Sequence, residues 1–171
     1  FDGTFGQVRD FIVIESTWLG YHEPHSPRQI SSFVYEMMVA AGQQTIAEEY
    51  NMLPFDVRVL DPTRTLCEKI MSLVRFSHNA KPIEDLRLKV RHIYDIHQLL
   101  TLEEIANFFD SPAFETMLLK LALDDVEGYK SNNSWLSIHP KNAILFSAAN
   151  ETWEQLKSTY QGNFADLVYG Q

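Results

Sequence analysis

The charged side chains best placed for chemistry lie between Asp61 and Leu100. Lys69 and Arg75 fall on the flanks of a predicted helix, where a basic side chain can lay its stem on apolar surface and keep its charge in water. Arg91 and Asp95 are four residues apart and therefore neighbours on one helix face, where an exposed pair contributes only about 0.3–0.5 kcal/mol. Spacing alone leaves open whether these groups bind a ligand or form ordinary surface pairs.

Glu15 is a further candidate, since it lies in the segment FIVIESTW of residues 11–18. The β-branched and aromatic residues of this segment are typical of a strand. In a central strand the Glu15 carboxylate would need a partner or a metal ion, whereas in an edge strand it would face water. Both interpretations remain open at this point.

Two helices are expected to position the central charges. Asp61-Pro62 is typical of a helix start, because the carboxylate caps free amides and proline needs no amide partner. The core stripe of this first helix contains Leu66, Ile70, Leu73 and Val74. Pro82 follows a polar interval and predicts a second helix that runs to about Leu100. Its inner stripe contains Leu86, Val90, Ile93, His97 and Leu100.

The remaining sequence predicts an α+β fold. Residues 55–60 alternate apolar and polar side chains, as half-buried strands do, and Ser26-Pro27 predicts a packed helix that ends at Gly42. Beyond Leu100, helix starts recur at residues 101, 112 and 150, and the acids Asp124, Asp125 and Glu127 are expected to be solvated, because adjacent acids on a helix point to different sides. We therefore expect two or three strands near the N-terminus, followed by a mostly helical bundle. The expected division is residues 1–60, a partial sheet with one helix, and residues 61–171, a helical region.

Composition limits the possible functions. The chain has 171 residues, 45% of them hydrophobic, which is enough for one substantial core. A net charge of −9 argues against a broad phosphate-binding surface, although the local cluster Arg87, Lys89 and Arg91 could still contact a nucleotide. The single cysteine, Cys67, and the absence of a signal peptide or long apolar run predict a cytoplasmic protein with no membrane contact.

The central segment resembles a known family. VRVLDPTRTLCEKIMSLVR, a polar interval and then KVRHIYDIHQLL are similar to the C-terminal half of AbiEii/AbiGii-type nucleotidyltransferase toxins. The resemblance implies that Lys69 contacts nucleotide phosphates and that Asp95, or the position held by His92, is the base or metal-site group. Family members commonly read Arg-Asp-x-Tyr-Asp, whereas this chain has His92 in place of the first aspartate.

The resemblance also implies a reaction. We expect the chain to be the C-terminal part of a bacterial toxin from a toxin-antitoxin or phage-defence (abortive infection) system. The expected reaction is Mg²⁺-dependent transfer of nucleotides to tRNA, another RNA or a protein. The expected partner is a cognate antitoxin. The start FDGTFGQVRDF is typical of the middle of a protein, so the metal-binding pair is expected upstream. The alternative is a non-catalytic helical module that docks an antitoxin or other protein.

These expectations define one site. Lys69 and Asp95 are its predicted catalytic residues, Arg91 and Arg75 its substrate-binding residues, and Glu15 a metal ligand. We expect the two central helices to pack antiparallel, because the connection between them is short. Lys69 and Asp95 should then lie close together, with Arg91 beside the Asp95 carboxylate and Glu15 at the open end of the site.

Overall fold

The computed structural model describes residues 24–128, 134–165 and 168. Within these ranges the chain forms two compact units, residues 24–61 and the helical unit that begins at Pro62. The predicted strand around Glu15 lies outside the described residues. The described architecture is α+β, with a two-stranded antiparallel sheet near the N-terminus followed by helices.

The first unit contains a β-hairpin-like pair with two helices in the connection between its strands. Strands β1 and β2 pair antiparallel with His25 opposite Leu60 and Ile30 opposite Phe55. The elements are β1 (His25–Ile30), α1 (Phe33–Ala40), α2 (Gln44–Glu49) and β2 (Phe55–Leu60). The predicted strand at residues 55–60 is confirmed.

The prediction that a helix begins at Ser26-Pro27 is wrong for the first residues of that segment. Residues 25–30 form β1, because strand β2 offers backbone partners along its whole length. The helix instead begins after Ser32, whose hydroxyl accepts a hydrogen bond from the Tyr35 amide at 3.1 Å. Gly42 does end the helical segment, with a φ of 71° that favours glycine. Helix α1 has no buried residue, so the expectation of a packed helix was also wrong.

The second unit is built around one long central helix. Its elements are α3 (Pro62–Ser77), α4 (Pro82–Arg87), α5 (Val90–Leu100), α6 (Glu103–Phe109), α7 (Pro112–Gly128), α8 (Ile144–Ser147) and α9 (Ala149–Thr159), with short 3₁₀ turns at Ser134–Ser137 and Pro140–Asn142 and a wider turn at Tyr160–Phe164. Helix α3 begins at Pro62 as predicted, and its stripe is buried. Leu66 belongs to a core cluster shared with α6, α7 and Trp135, whereas Leu73 packs with Leu86 and Leu156.

The second predicted helix is divided in two. Helix α4 ends at Arg87 and α5 begins at Val90. Between them the amides of Leu88 and Lys89 donate to carbonyls three residues earlier, at 3.2 and 2.9 Å, so the regular ladder of bonds to the fourth residue back is interrupted. The break allows Leu86 and Val90 to be buried on separate helices while Leu88 stays in water.

Candidate functional site

Lys69 on α3 and Asp95 on α5 form a salt bridge between the two helices. The Lys69 Nζ donates to the Asp95 Oδ2 at 2.7 Å. The two side chains are 22% and 28% exposed, so both charged groups can be reached from solvent. The structure therefore brings together the two residues predicted to be catalytic.

A second contact fixes the relative direction of these helices. The Lys89 Nζ lies 4.9 Å from the centre of the Phe76 ring. A later residue of α3 thus contacts an earlier residue of the α5 segment, which means that the helices run antiparallel, as expected. His92 lies between Lys89 and Asp95 along α5. We call the set Lys69, Phe76, Lys89, His92 and Asp95 the α3–α5 site.

His92 is held in its neutral form at this site. Burial lowers the pKa of His92 to about 4, and the charges of Lys69 and Lys89 act in the same direction. Asp95 opposes this effect without overcoming it. The buried Nδ1 of His92 has no hydrogen-bond partner among the residues that the structure describes. Because position 92 is a histidine, the site has one acid, Asp95, where the related motif commonly has two.

The other predicted site residues are placed differently. Arg91 is exposed, and within the described part of the chain it forms no salt bridge with Asp95, whose carboxylate is bonded to Lys69. The expectation that Arg91 lies against Asp95 is therefore not met. The guanidinium of Arg75 lies 5.1 Å from the centre of the Phe76 ring, at the edge of the α3–α5 site. Glu15 lies outside the described residues.

A second charged cluster occupies the opposite side of α3. Arg64 is only 2% exposed, and its guanidinium donates to Glu68 at 2.8 Å and to Asp124 on α7 at 2.9 Å. Burial alone would lower the pKa of Arg64, but the hydrogen bonds that it donates to the two acids more than offset this effect, and the pKa is raised. Burial raises the pKa of the neighbouring Asp125, while the charge of Arg75 counteracts this. This cluster ties α3 to α7.

The sequence indicated little of this second cluster. Arg64 and Glu68 have helical spacing, but Asp124 lies 60 residues further along the chain, beyond the reach of any local pattern. The expectation that Asp124 is solvated was wrong, since its side chain is 16% exposed and bonded to Arg64.

The described residues do not form a complete metal site. Across residues 24–128 and 134–165, no three His, Cys, Asp or Glu side chains are grouped closely enough to hold a metal ion. Cys67 is fully buried, and burial raises the pKa of its thiol to about 12, so it stays protonated and is unsuited to act as a nucleophile. Asp95 is thus the one carboxylate that the α3–α5 site offers.

Comparison with known proteins gives one finding. A family model described as "Nucleotidyl transferase AbiEii toxin, Type IV TA system" matches residues 3–171, nearly the whole chain. No curated protein and no solved structure matches the chain. Within the described ranges, no helix is both long enough and apolar enough to cross a membrane.

Proposed function

The chain belongs to the AbiEii nucleotidyl transferase toxin family of type IV toxin-antitoxin systems, and from this membership we propose that it transfers nucleotides to an RNA or protein acceptor through the α3–α5 site. The observation that carries the proposal is the salt bridge of 2.7 Å between Lys69 and Asp95. It joins the two residues that the family resemblance selects, and solvent can reach both.

In the proposed reaction, Lys69 binds the phosphates of a nucleoside triphosphate. Its ammonium group offsets charge on the phosphates as the bond to the leaving pyrophosphate breaks. In the absence of substrate, Asp95 holds that ammonium group in position. Once Lys69 contacts phosphate, the Asp95 carboxylate is available to orient an acceptor hydroxyl and to take its proton.

The proposal includes Mg²⁺, supplied with the nucleotide. This ion commonly binds through one or two carboxylates together with substrate phosphates, and neutralises charge on the phosphates. Within the α3–α5 site, Asp95 is the one described carboxylate that could bind such an ion. The proposed partners are a nucleoside triphosphate, an acceptor such as tRNA and a cognate antitoxin, and the proposed compartment is the cytoplasm.

The test compares nucleotide transfer by the full-length wild type and its Lys69→Ala variant. Each protein is incubated with labelled nucleotides, Mg²⁺ and tRNA, and the labelled product is resolved by gel electrophoresis. We expect Lys69→Ala to lose at least about 100-fold in rate, since charge-stabilising groups typically contribute this much. Lys157→Ala is the matched control, because Lys157 forms only an exposed pair with Glu154 on α9. Equal labelling by wild type and Lys69→Ala would remove Lys69 from the mechanism.

The alternative function is a non-catalytic helical module that docks an antitoxin or other protein. The histidine at position 92 favours it, because the related motif commonly has a second acid there. The transfer assay, together with a measurement of antitoxin binding, distinguishes the two functions. A docking module would bind its antitoxin with unchanged affinity in the Lys69→Ala variant and would give no labelled product in either protein.

A further inference from the structure

Lys89 is a partly buried cation directly before α5. Its ammonium group lies against the Phe76 ring, and within the described part of the chain no carboxylate lies within 4.0 Å of it. The ring partly compensates the charge, since a cation over an aromatic face is stabilised by about 0.5–1 kcal/mol at an exposed site. A lysine held in this way keeps its hydrogen-bond donors free for an anion.

The charges near Lys89 have the same sign. Lys69, Lys89 and Arg91 are all close enough to His92 to disfavour its protonated form, and Asp95 is the one acid that acts against them. The charges that act on His92 are thus three cations and one acid, an excess of two positive charges at this position in a chain whose net charge is −9. A local excess of positive charge in an acidic protein attracts anionic ligands to that place.

The other side of α3 provides an internal comparison. There Arg64 is bonded to two acids, Glu68 and Asp124, and Asp125 lies close by. That cluster has its positive charge matched by neighbouring carboxylates. The cluster around Arg64 therefore lacks the excess of positive charge found around His92.

We propose that Lys89 and Lys69 together form a subsite for the polyphosphate part of the nucleotide, with Lys89 binding the phosphate groups farther from the reacting atoms. Lys69 and Phe76 are two turns apart on α3, which corresponds to about 10 Å along the helix axis. Lys89 is held at the Phe76 end, so the two ammonium groups suit a ligand with several linked phosphates better than a single phosphate ion. Phe76 acts as a positioning residue for Lys89.

This inference rests on the proposed nucleotide chemistry, but it can be tested without it. The probe is inorganic triphosphate, whose binding to full-length protein is measured by isothermal titration calorimetry. We expect Lys89→Gln to weaken binding by about tenfold, equivalent to about 1.4 kcal/mol. Lys89→Arg should retain most of the affinity, because it restores the charge. Lys157→Gln, which removes the same charge from an exposed pair on α9, should change affinity by less than about twofold.

Kinetics supply the second measurement. Lys89→Gln should raise the KM for the nucleoside triphosphate by about tenfold and leave kcat within about twofold, because Lys89 contacts phosphates away from the reacting atoms. Unchanged triphosphate binding in Lys89→Gln would overturn the inference, and so would a wild type that does not bind triphosphate. A wild type that binds triphosphate through Lys89 but transfers no nucleotide would overturn the proposed reaction and leave the subsite in place.

Discussion

Replacing Asp95 with asparagine tests whether its pair with Lys69 serves function or merely holds two helices together. Asparagine has nearly the same shape and can still accept a hydrogen bond, but it has no charge. At the observed 2.7 Å, Coulomb's law gives about 1.5 kcal/mol with the dielectric constant of water and about 6 kcal/mol with an effective value of 20. Desolvation and side-chain ordering offset most of this attraction.

The partial exposure of the pair decides the expected size of the effect. Exposed ion pairs contribute about 0.2–1 kcal/mol, whereas removing one partner of a buried pair costs about 3–5 kcal/mol. Lys69 and Asp95 are 22% and 28% exposed, closer to the first situation than to the second. We expect Asp95→Asn to lower the free energy of unfolding by about 1 kcal/mol while abolishing nucleotide transfer.

Asp124→Asn is the matched control on the other side of α3. It makes the same chemical change, but its partner Arg64 is only 2% exposed, so the loss should approach about 3 kcal/mol. Urea unfolding followed by tryptophan fluorescence measures both variants, because Trp135 and Trp153 lie in the helical unit. If Asp95→Asn costs as much as Asp124→Asn, the Lys69–Asp95 pair is a structural tie and our reasoning about it fails.

Three further predictions concern the pKa of His92, the reactivity of Cys67 and the core around α3. Because the pKa of folded His92 is about 4, below its ordinary 6.5, the neutral imidazole adds stability above pH 6.5 that is lost between pH 6.5 and 4. In urea unfolding across this range, His92→Gln should remove up to about 3 kcal/mol of the pH dependence, and identical pH profiles would contradict the assignment. Cys67, with its pKa of about 12, should react with iodoacetamide at pH 8 only after unfolding, and rapid alkylation of the native protein would show that the thiol is accessible. Leu66→Ala should cost about 2–5 kcal/mol in the same urea assay, whereas Leu119→Ala, at an exposed position, should cost less than about 0.5 kcal/mol, and similar losses would refute the assigned core.

Local sequence patterns predicted α3 well because its causes are local. Proline at residue 62 starts the helix, and the apolar stripe through Leu66 and Ile70 has the period of a helix that packs on one side. The Lys69–Asp95 contact followed from a short connection between two antiparallel helices. The first feature depends on residues close together in the sequence, whereas the second joins residues 26 apart that were selected by the family resemblance.

Features that depend on distant residues could not be predicted in this way. The start of β1 was mistaken for a helix because the competing partner, β2, follows only at Phe55. The apolar residues on both sides of the break between α4 and α5, such as Leu86 and Val90, keep helical spacing. The period of the sequence therefore cannot reveal this break. Asp124 was assigned to solvent because its partner Arg64 is far away in the chain. The position of Lys89 over Phe76 likewise depends on how two helices pack.

The described part of the first unit, residues 24–61, has its two ends side by side. The amide of Asp61 donates to the carbonyl of Pro24 at 2.9 Å, where β1 begins and β2 ends. The chain therefore leaves and returns at nearly one point, and removing the whole segment would leave a gap that a short glycine-rich linker can span. Such a segment can be exchanged between related proteins, or replaced by another small domain, without lengthening any other connection. For protein engineering, it is a natural place for a reporter domain in this protein.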